Sequence, residues 1–261
     1  MSYQRKYNPI VGEDWKYNPN SSSPFKLSRG KIESFCNCER CFYFEVRLGF
    51  REPSGPGWAI NSAVDTLLKK EVEHCRKEDR PHGLFKEYNL NIKPFHHPDL
   101  GDWQSTRKGI QYLHEKYNIL FYGGVDDIMV NEKDKLVVVD FKATARQAPL
   151  NTPKDVFGGG ETYKRQLEIY SWLLQKNGFS VSTAGYLMYY NGDASKPYLG
   201  DSMHFRRTLV EFSLNTDWID PTVDALYDCF QDDSVPALDT DSCEQCLYRE
   251  TYPELKASFD S

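Results

Sequence analysis

GVDDIMVNEKDKLVVVDFK, residues 124–142, decides how the chain folds. Residues 118–130 are apolar and β-rich with a Gly123-Gly124 kink, and Leu136 to Phe141 is a continuous apolar run. Between them Asn131-Glu132-Lys133-Asp134 supplies turn residues, so the spacing predicts a β-hairpin. Its second strand should be central, because strands covered on both faces read as unbroken apolar runs. Alternate residues of a strand share a face, which puts Asp140 and Lys142 on one side and Phe141 on the other. The acid that joins them depends on register. With Val130 opposite Leu136, Asp126 faces Asp140; a slip of one residue brings Asp127 there instead. Spacing leaves both open.

Downstream, Lys142 to Tyr163 is a long polar connection holding Pro149, Pro153 and Gly158-Gly159-Gly160, and a helix is expected over about 161–177, closed by Asn177-Gly178. Strands near 181–190 and 206–214 should follow, then a helix near 218–231 capped by Asp217. Upstream, Ile60, Val64, Leu67, Leu68 and Val72 recur at helical spacing across 58–77, after a break at Pro53-Ser54-Gly55-Pro56-Gly57. A shorter helix starts near Leu27, with Ser28 as its cap and Ile32, Phe35 and Phe42 as its buried side. Residues 80–117 show little period and read as short strands and loops. Residues 1–24 lack periodicity and read as a flexible tail, leaving 25–261 as a single domain. This order of elements gives an α/β fold, a mixed central β-sheet flanked by helices.

At 261 residues the chain can bury a sizeable core unaided. Its 32 basic and 38 acidic residues leave a net charge of −6, which excludes a generally basic surface, so any polyanion site must be local. No apolar leader opens the sequence, and no run approaches the ~20 apolar residues of a membrane span, so the expectation is a cytoplasmic protein with no membrane partner. Seven cysteines, five of them in two tight groups, suggest metal in a reducing compartment rather than a disulfide framework.

Two carboxylates in reach of each other repel, which favours a raised pKa or a bound hard cation such as Mg²⁺ or Mn²⁺. A lysine on the same face can orient a water or offset charge on a phosphate. On the following helix Gln166 and Tyr170 are i and i+4, hence on one face. Without a site, the same residues read as strand-end acids, a solvated lysine and a core tyrosine.

Taken in order, these pieces resemble the PD-(D/E)XK nuclease superfamily, specifically its RecB-like branch, which includes AddB-type helicase-nucleases and CRISPR-adaptation exonucleases. The resemblance runs from Leu27-Ser28 through Cys38-Glu39-Arg40-Cys41-Phe42-Tyr43, Gly124-Val125-Asp126, Asp140-Phe141-Lys142 and Gln166-Leu167-Glu168-Ile169-Tyr170 to Cys243-Glu244-Gln245-Cys246-Leu247-Tyr248-Arg249. It implies a restriction-endonuclease-like αβββαβ core and metal-dependent DNA cleavage. It selects Asp126 and Asp140 as metal ligands, Lys142 as catalytic, and Gln166 and Tyr170 as supporting residues. Many relatives place a metal-binding histidine four residues after a glycine in the early helix. Counted from Gly57, this chain has Asn61 there, with Asp65 one turn on.

Cys38-x-x-Cys41 and Cys243-x-x-Cys246 match the ligand count of a tetrahedral Zn²⁺ site that would join the N- and C-terminal regions. Iron–sulfur members of the branch use one N-terminal and three C-terminal cysteines, so zinc ranks first and a [4Fe–4S] cluster second, with Cys36 able to substitute for Cys38. Cys75 and Cys229 read as core residues. Lys164, Arg165, Arg146 and Lys154 could bind backbone phosphates, with stacking from Phe157 or Tyr163. The reading is a nuclease acting on DNA that is single-stranded or has ends, with a helicase or another repair or defence protein as partner. A non-catalytic DNA-binding module and an iron–sulfur redox or sensing protein are the alternatives.

Overall fold

A computed structural model describes residues 16–50, 59–148 and 150–260. Its elements are β1 (Phe25–Ser28), α1 (Arg29–Asn37), α2 (Glu39–Val46), α3 (Ala59–Lys77), α4 (Gly83–Glu87), β2 (Lys93–Pro94), α5 (Leu100–Trp103), β3 (Ile110–His114), β4 (Ile119–Gly123), β5 (Asp127–Val130), β6 (Leu136–Thr144), α6 (Glu161–Lys176), β7 (Ala184–Gly192), β8 (Phe205–Ser213), α7 (Ile219–Gln231) and α8 (Glu244–Asp260). The span 25–261 is organised as two compact units, one drawn from residues 57–112 and 121–216, the other from residues up to 56, 113–120 and from 217 on. The break expected at Pro53–Gly57 and residues 1–15 of the expected tail lie outside the described residues.

The larger unit is built on a mixed five-stranded sheet in the order β2-β5-β6-β7-β8. β5 and β6 form the expected hairpin, in the register with Val130 opposite Leu136 and Asp127 opposite Val139. Its turn is held by the Asn131 side chain, which accepts hydrogen bonds from the Lys133 and Lys135 amides at 3.0 and 3.1 Å. β6 and β7 are parallel, which a tight turn cannot achieve, and α6 supplies the crossover. β6 is central, and its Val137, Val139 and Phe141 pack on Leu68 and Val72 of α3 and Leu84 and Phe85 of α4. Across the sheet Leu167 of α6 lies over Gly185, where a Cβ would come within 2.8 Å of Leu214. A side chain at Gly185 would therefore push the layers apart.

α3 occupies the expected span, but its apolar stripe is shorter than the periodicity implied. Leu68 and Val72 are buried, while Ile60 and Leu67 are 67% and 63% exposed. Ile60 lies at the rim of a cleft instead of on the sheet. Residues 80–117 hold two short helices, α4 and α5, beside the short strands. His82 accepts from the Leu84 amide and so starts α4, a cap that periodicity does not reveal.

In the smaller unit Phe35, Phe42, Phe230 and Tyr17 form a chain of ring contacts in that order, with Tyr17 and Phe230 ring centres 4.1 Å apart. Tyr17 belongs to the stretch expected as a tail. Ser28 occupies the N-cap position of α1, although its side chain makes no capping bond. The single early helix is two, because Cys38 adopts an extended backbone between α1 and α2. α7 starts after Trp218 rather than at an Asp217 cap, and α8 was not anticipated. The cysteine cluster of Cys38, Cys41, Cys243 and Cys246 joins the N-terminal and C-terminal regions.

Candidate active site and cysteine centre

The hairpin register settles which acid faces Asp140. Asp127 pairs with Val139, so Asp126, one residue earlier, stands at the level of Asp140, and both line one cleft of about 480 Å³ with Asn61, Lys142, Gln166 and Tyr170. The loop carrying Asp126 is held close to residues 105 and 106. A Cβ at Gly124 would sit 2.8 Å from the Ser105 carbonyl oxygen, so glycine is required there.

Each acid has one oxygen fixed by a hydrogen bond and the other facing a lysine. Asp126 Oδ2 accepts from the Phe141 amide at 2.7 Å, and its Oδ1 lies 3.8 Å from Lys69. Asp140 Oδ1 accepts from the Gln166 amide at 2.8 Å; Oδ2 receives no directed hydrogen bond and meets the Lys142 ammonium as an ion pair. Gln166 also reaches Tyr170 at 3.3 Å, and the Tyr170 hydroxyl donates to the Gly124 carbonyl at 2.7 Å. α6 thus ties the strand bearing Asp140 to the loop bearing Asp126 through two buried side chains. Lys142 lies 3.5 Å from Gln166 Oε1 and 5.0 Å from the centre of the Tyr163 ring.

Burial, reinforced by the Asp140 charge, pushes the Asp126 carboxyl up to about 8 against the pull of Lys142, the Phe141 amide and Lys69. Burial alone would depress the Lys142 ammonium, but Asp140 and Asp126 outweigh it and the net shift is upward. Two acids thus share a cleft whose lysine does not satisfy both. Oxygen donors with that deficit of positive charge fit a hard divalent cation, which Asp126 and Asp140 would hold.

Asp127 has a different environment. It is fully buried in an ion pair with Arg76, which also bonds Glu73 at 2.5 Å and the Phe95 carbonyl at 2.9 Å. Gln104 bridges the Asp126 carbonyl at 2.8 Å and Asp127 at 3.3 Å. Burial raises Asp127 to about 6 although Arg76 opposes it.

Asn61 lines the cleft but spends its amide nitrogen on the Ala143 carbonyl at 3.2 Å, and Asp65 pairs with Lys69 at 3.0 Å. Sequence reasoning missed Lys69, although Asn61, Asp65 and Lys69 recur at i, i+4 and i+8 on one helix face. Of the candidate phosphate contacts, Lys164 is turned to Glu168 at 3.8 Å, and Lys154 and Arg146 are exposed in the connection after β6. Arg165 is half-buried beside Gln166. The Phe157 side chain lies outside what the structure describes, whereas Tyr163 borders the cleft.

In the smaller unit the four cysteine sulfurs lie within 4.8 Å of one another, with Cys38–Cys246 and Cys41–Cys243 at 3.6 Å and Cys41–Cys246 at 3.8 Å. The edge of a tetrahedron around an ion with metal–sulfur bonds of about 2.3 Å is about 3.8 Å, so the set fits one tetrahedral ion. The Cys41 amide points at Cys38 from 3.4 Å, and Arg249 donates to Cys41 at 3.3 Å, both favouring thiolate. Burial and the neighbouring thiols push Cys41 up in the absence of a cation. Cys36 is exposed and stands outside the group; Cys75 is buried and Cys229 half-buried.

The sequence model of the PD-(D/E)XK nuclease superfamily matches residues 26–251, most of the chain. No curated protein matches it.

Proposed function

The chain belongs to the PD-(D/E)XK nuclease superfamily, and from that premise we propose that it is a divalent-metal-dependent nuclease that hydrolyses DNA phosphodiester bonds. The observation that carries the proposal is the cleft in which Asp126, Asp140 and Lys142 converge. Asp126 and Asp140 are the ligands for Mg²⁺ or Mn²⁺, with Asn61 at the rim of the same cleft. When bound, the ion polarises the scissile phosphate and lowers the pKa of the attacking water. Lys142 holds that water in line and offsets charge developing on the phosphate. Gln166 fixes the rotamer of Asp140, and Tyr170 fixes the backbone that presents Asp126. Attack by water gives hydrolysis without a covalent enzyme intermediate.

The order of motifs supports the RecB-like branch and, by analogy, an exonuclease of DNA repair, recombination or defence that works beside a helicase. The cysteine spacing supports one structural Zn²⁺ in preference to a [4Fe–4S] cluster, because in such a cluster each thiolate binds a different iron and the sulfurs stand further apart.

The test is cleavage of end-labelled single- and double-stranded DNA with Mg²⁺ or Mn²⁺, with Lys142→Ala purified alongside. Metal-dependent products that disappear in the variant are expected. Equal activity in both proteins would place the chemistry elsewhere, and none in either would leave a DNA-binding module.

A further inference from the structure

Beyond the metal cleft, β6 runs through Ala143 to its end at Thr144, the chain goes on through Ala145 to Arg146, and two further depressions open beside it. The first, of about 400 Å³, is lined by Ile60, Met203 and Phe205 and shares Asn61 and Ala143 with the metal cleft. It is apolar and open. Ile60 is 67% and Met203 40% exposed, and Met203 reaches it by lying over Gly192, where a Cβ would be 2.2 Å from its terminal methyl.

The second depression, of about 250 Å³, is lined by Arg146 and Arg206. This pair is built into the sheet edge. Thr144, Asn191 and Arg206 occupy one cross-strand row. Buried Asn191 clamps the backbone of Arg146 with two bonds of 2.8 Å, and Arg206 donates to the Arg146 carbonyl at 2.9 Å. The Arg146 guanidinium donates to the Asp155 carbonyl at 2.8 Å. Backbone carbonyls thus fix both guanidiniums, with Asp155 in electrostatic reach of Arg146 and Asp193 of Arg206. The acid in the same depression, Asp193, is engaged by the Ser195 amide and hydroxyl at 3.1 and 2.6 Å and faces Lys196 at 3.9 Å.

Metal cleft, apolar cleft and arginine pair therefore follow one another along β6 and the residues just after it. Resting on the nuclease reading, we propose that this edge is a track for single-stranded DNA. The nucleotide beside the scissile phosphate turns its base between Ile60, Met203 and Phe205, and a later phosphate lies on Arg146 and Arg206. A base stacked in a duplex cannot enter such a cleft without unpairing, so the track selects single strands.

The test is equilibrium binding of fluorescent oligonucleotides to the full chain in Ca²⁺, with one abasic site moved along the strand. One abasic position should weaken wild-type binding about tenfold, the scale of a lost base contact, and should have no further effect in Met203→Glu. Met203→Leu should restore it. Arg206→Gln should lower the slope of log affinity against log salt by about 0.7, one phosphate on a single strand, and Arg206→Lys should keep it. A flat abasic scan, an unchanged salt slope, or duplex bound as well as single strand would overturn the track. If the protein cleaves DNA while the scan is flat, the track fails and the nuclease stands. If the scan and slope behave as stated without cleavage, the nuclease reading fails and the track stands.

Discussion

Replacing Asp126 with Asn should stabilise the metal-free protein while destroying its metal response. In the folded chain the carboxyl is raised from 3.8 to about 8 by burial and by Asp140. Between those values the folded state holds a proton that the unfolded state has released. The stability associated with this group is therefore fully present below the unfolded pKa and is lost as pH rises toward the folded one. At about pH 7 the cost of the full shift would be about 4 kcal/mol. With 23% of the side chain open to water, about half of that is the reasonable expectation. Asn resembles the protonated acid and can still accept from the Phe141 amide, so it escapes the cost. The assay is thermal unfolding of both proteins across about pH 5 to pH 8, in buffer without added divalent ions and without a chelator that would strip the cysteine site. The variant should melt about 5 °C higher at about pH 7, and the gap should widen with pH. Mn²⁺ should then raise the wild type and leave the variant unmoved. A variant no more stable at any pH, or an equal Mn²⁺ response in both, would refute the coupling of Asp126 to Asp140.

For the same reason the apparent affinity of the wild type for Mn²⁺, followed by calorimetry, should rise about tenfold per pH unit up to about pH 8, because binding must expel the Asp126 proton. Asp127→Asn should cost about 1.5–3 kcal/mol in urea unfolding by removing one of the two acids that pair with buried Arg76. Tyr170→Phe should lower kcat on DNA about tenfold with intact folding, since the bond to the Gly124 carbonyl and the link to Gln166 are removed. The purified protein should carry one zinc per chain and no visible absorption. Cys41→Ser should lower that content and the melting temperature, whereas Cys36→Ser should change neither.

The hairpin was legible because each of its determinants is local: the apolar run that makes β6 central, and the turn that Asn131 closes with its own side chain. Register was not, since moving β5 by one residue exchanges Asp126 for Asp127 without altering composition. The choice is made outside the hairpin, by Arg76 on α3 and Gln104 after α5, which satisfy Asp127 in the interior. Neither announces itself in the sequence. Arg76 reads as one more charge near the end of an amphipathic helix, and Gln104 lies in a stretch without period. Ile60 shows the opposite failure, an apolar residue at core spacing that sits at a cleft because the start of its helix does not cover the sheet.

The acidic net charge fits a DNA substrate for the same structural reason. Acids around the cleft are paired at close range, Asp65 with Lys69 and Asp127 with Arg76. Lys142 is held beside Asp126 and Asp140 and keeps its proton because of them. Arg146 and Arg206 are anchored by backbone carbonyls, each donating to one. What a phosphate meets along β6 is set by which charges are already paired, and the chain total of −6 carries no information about that.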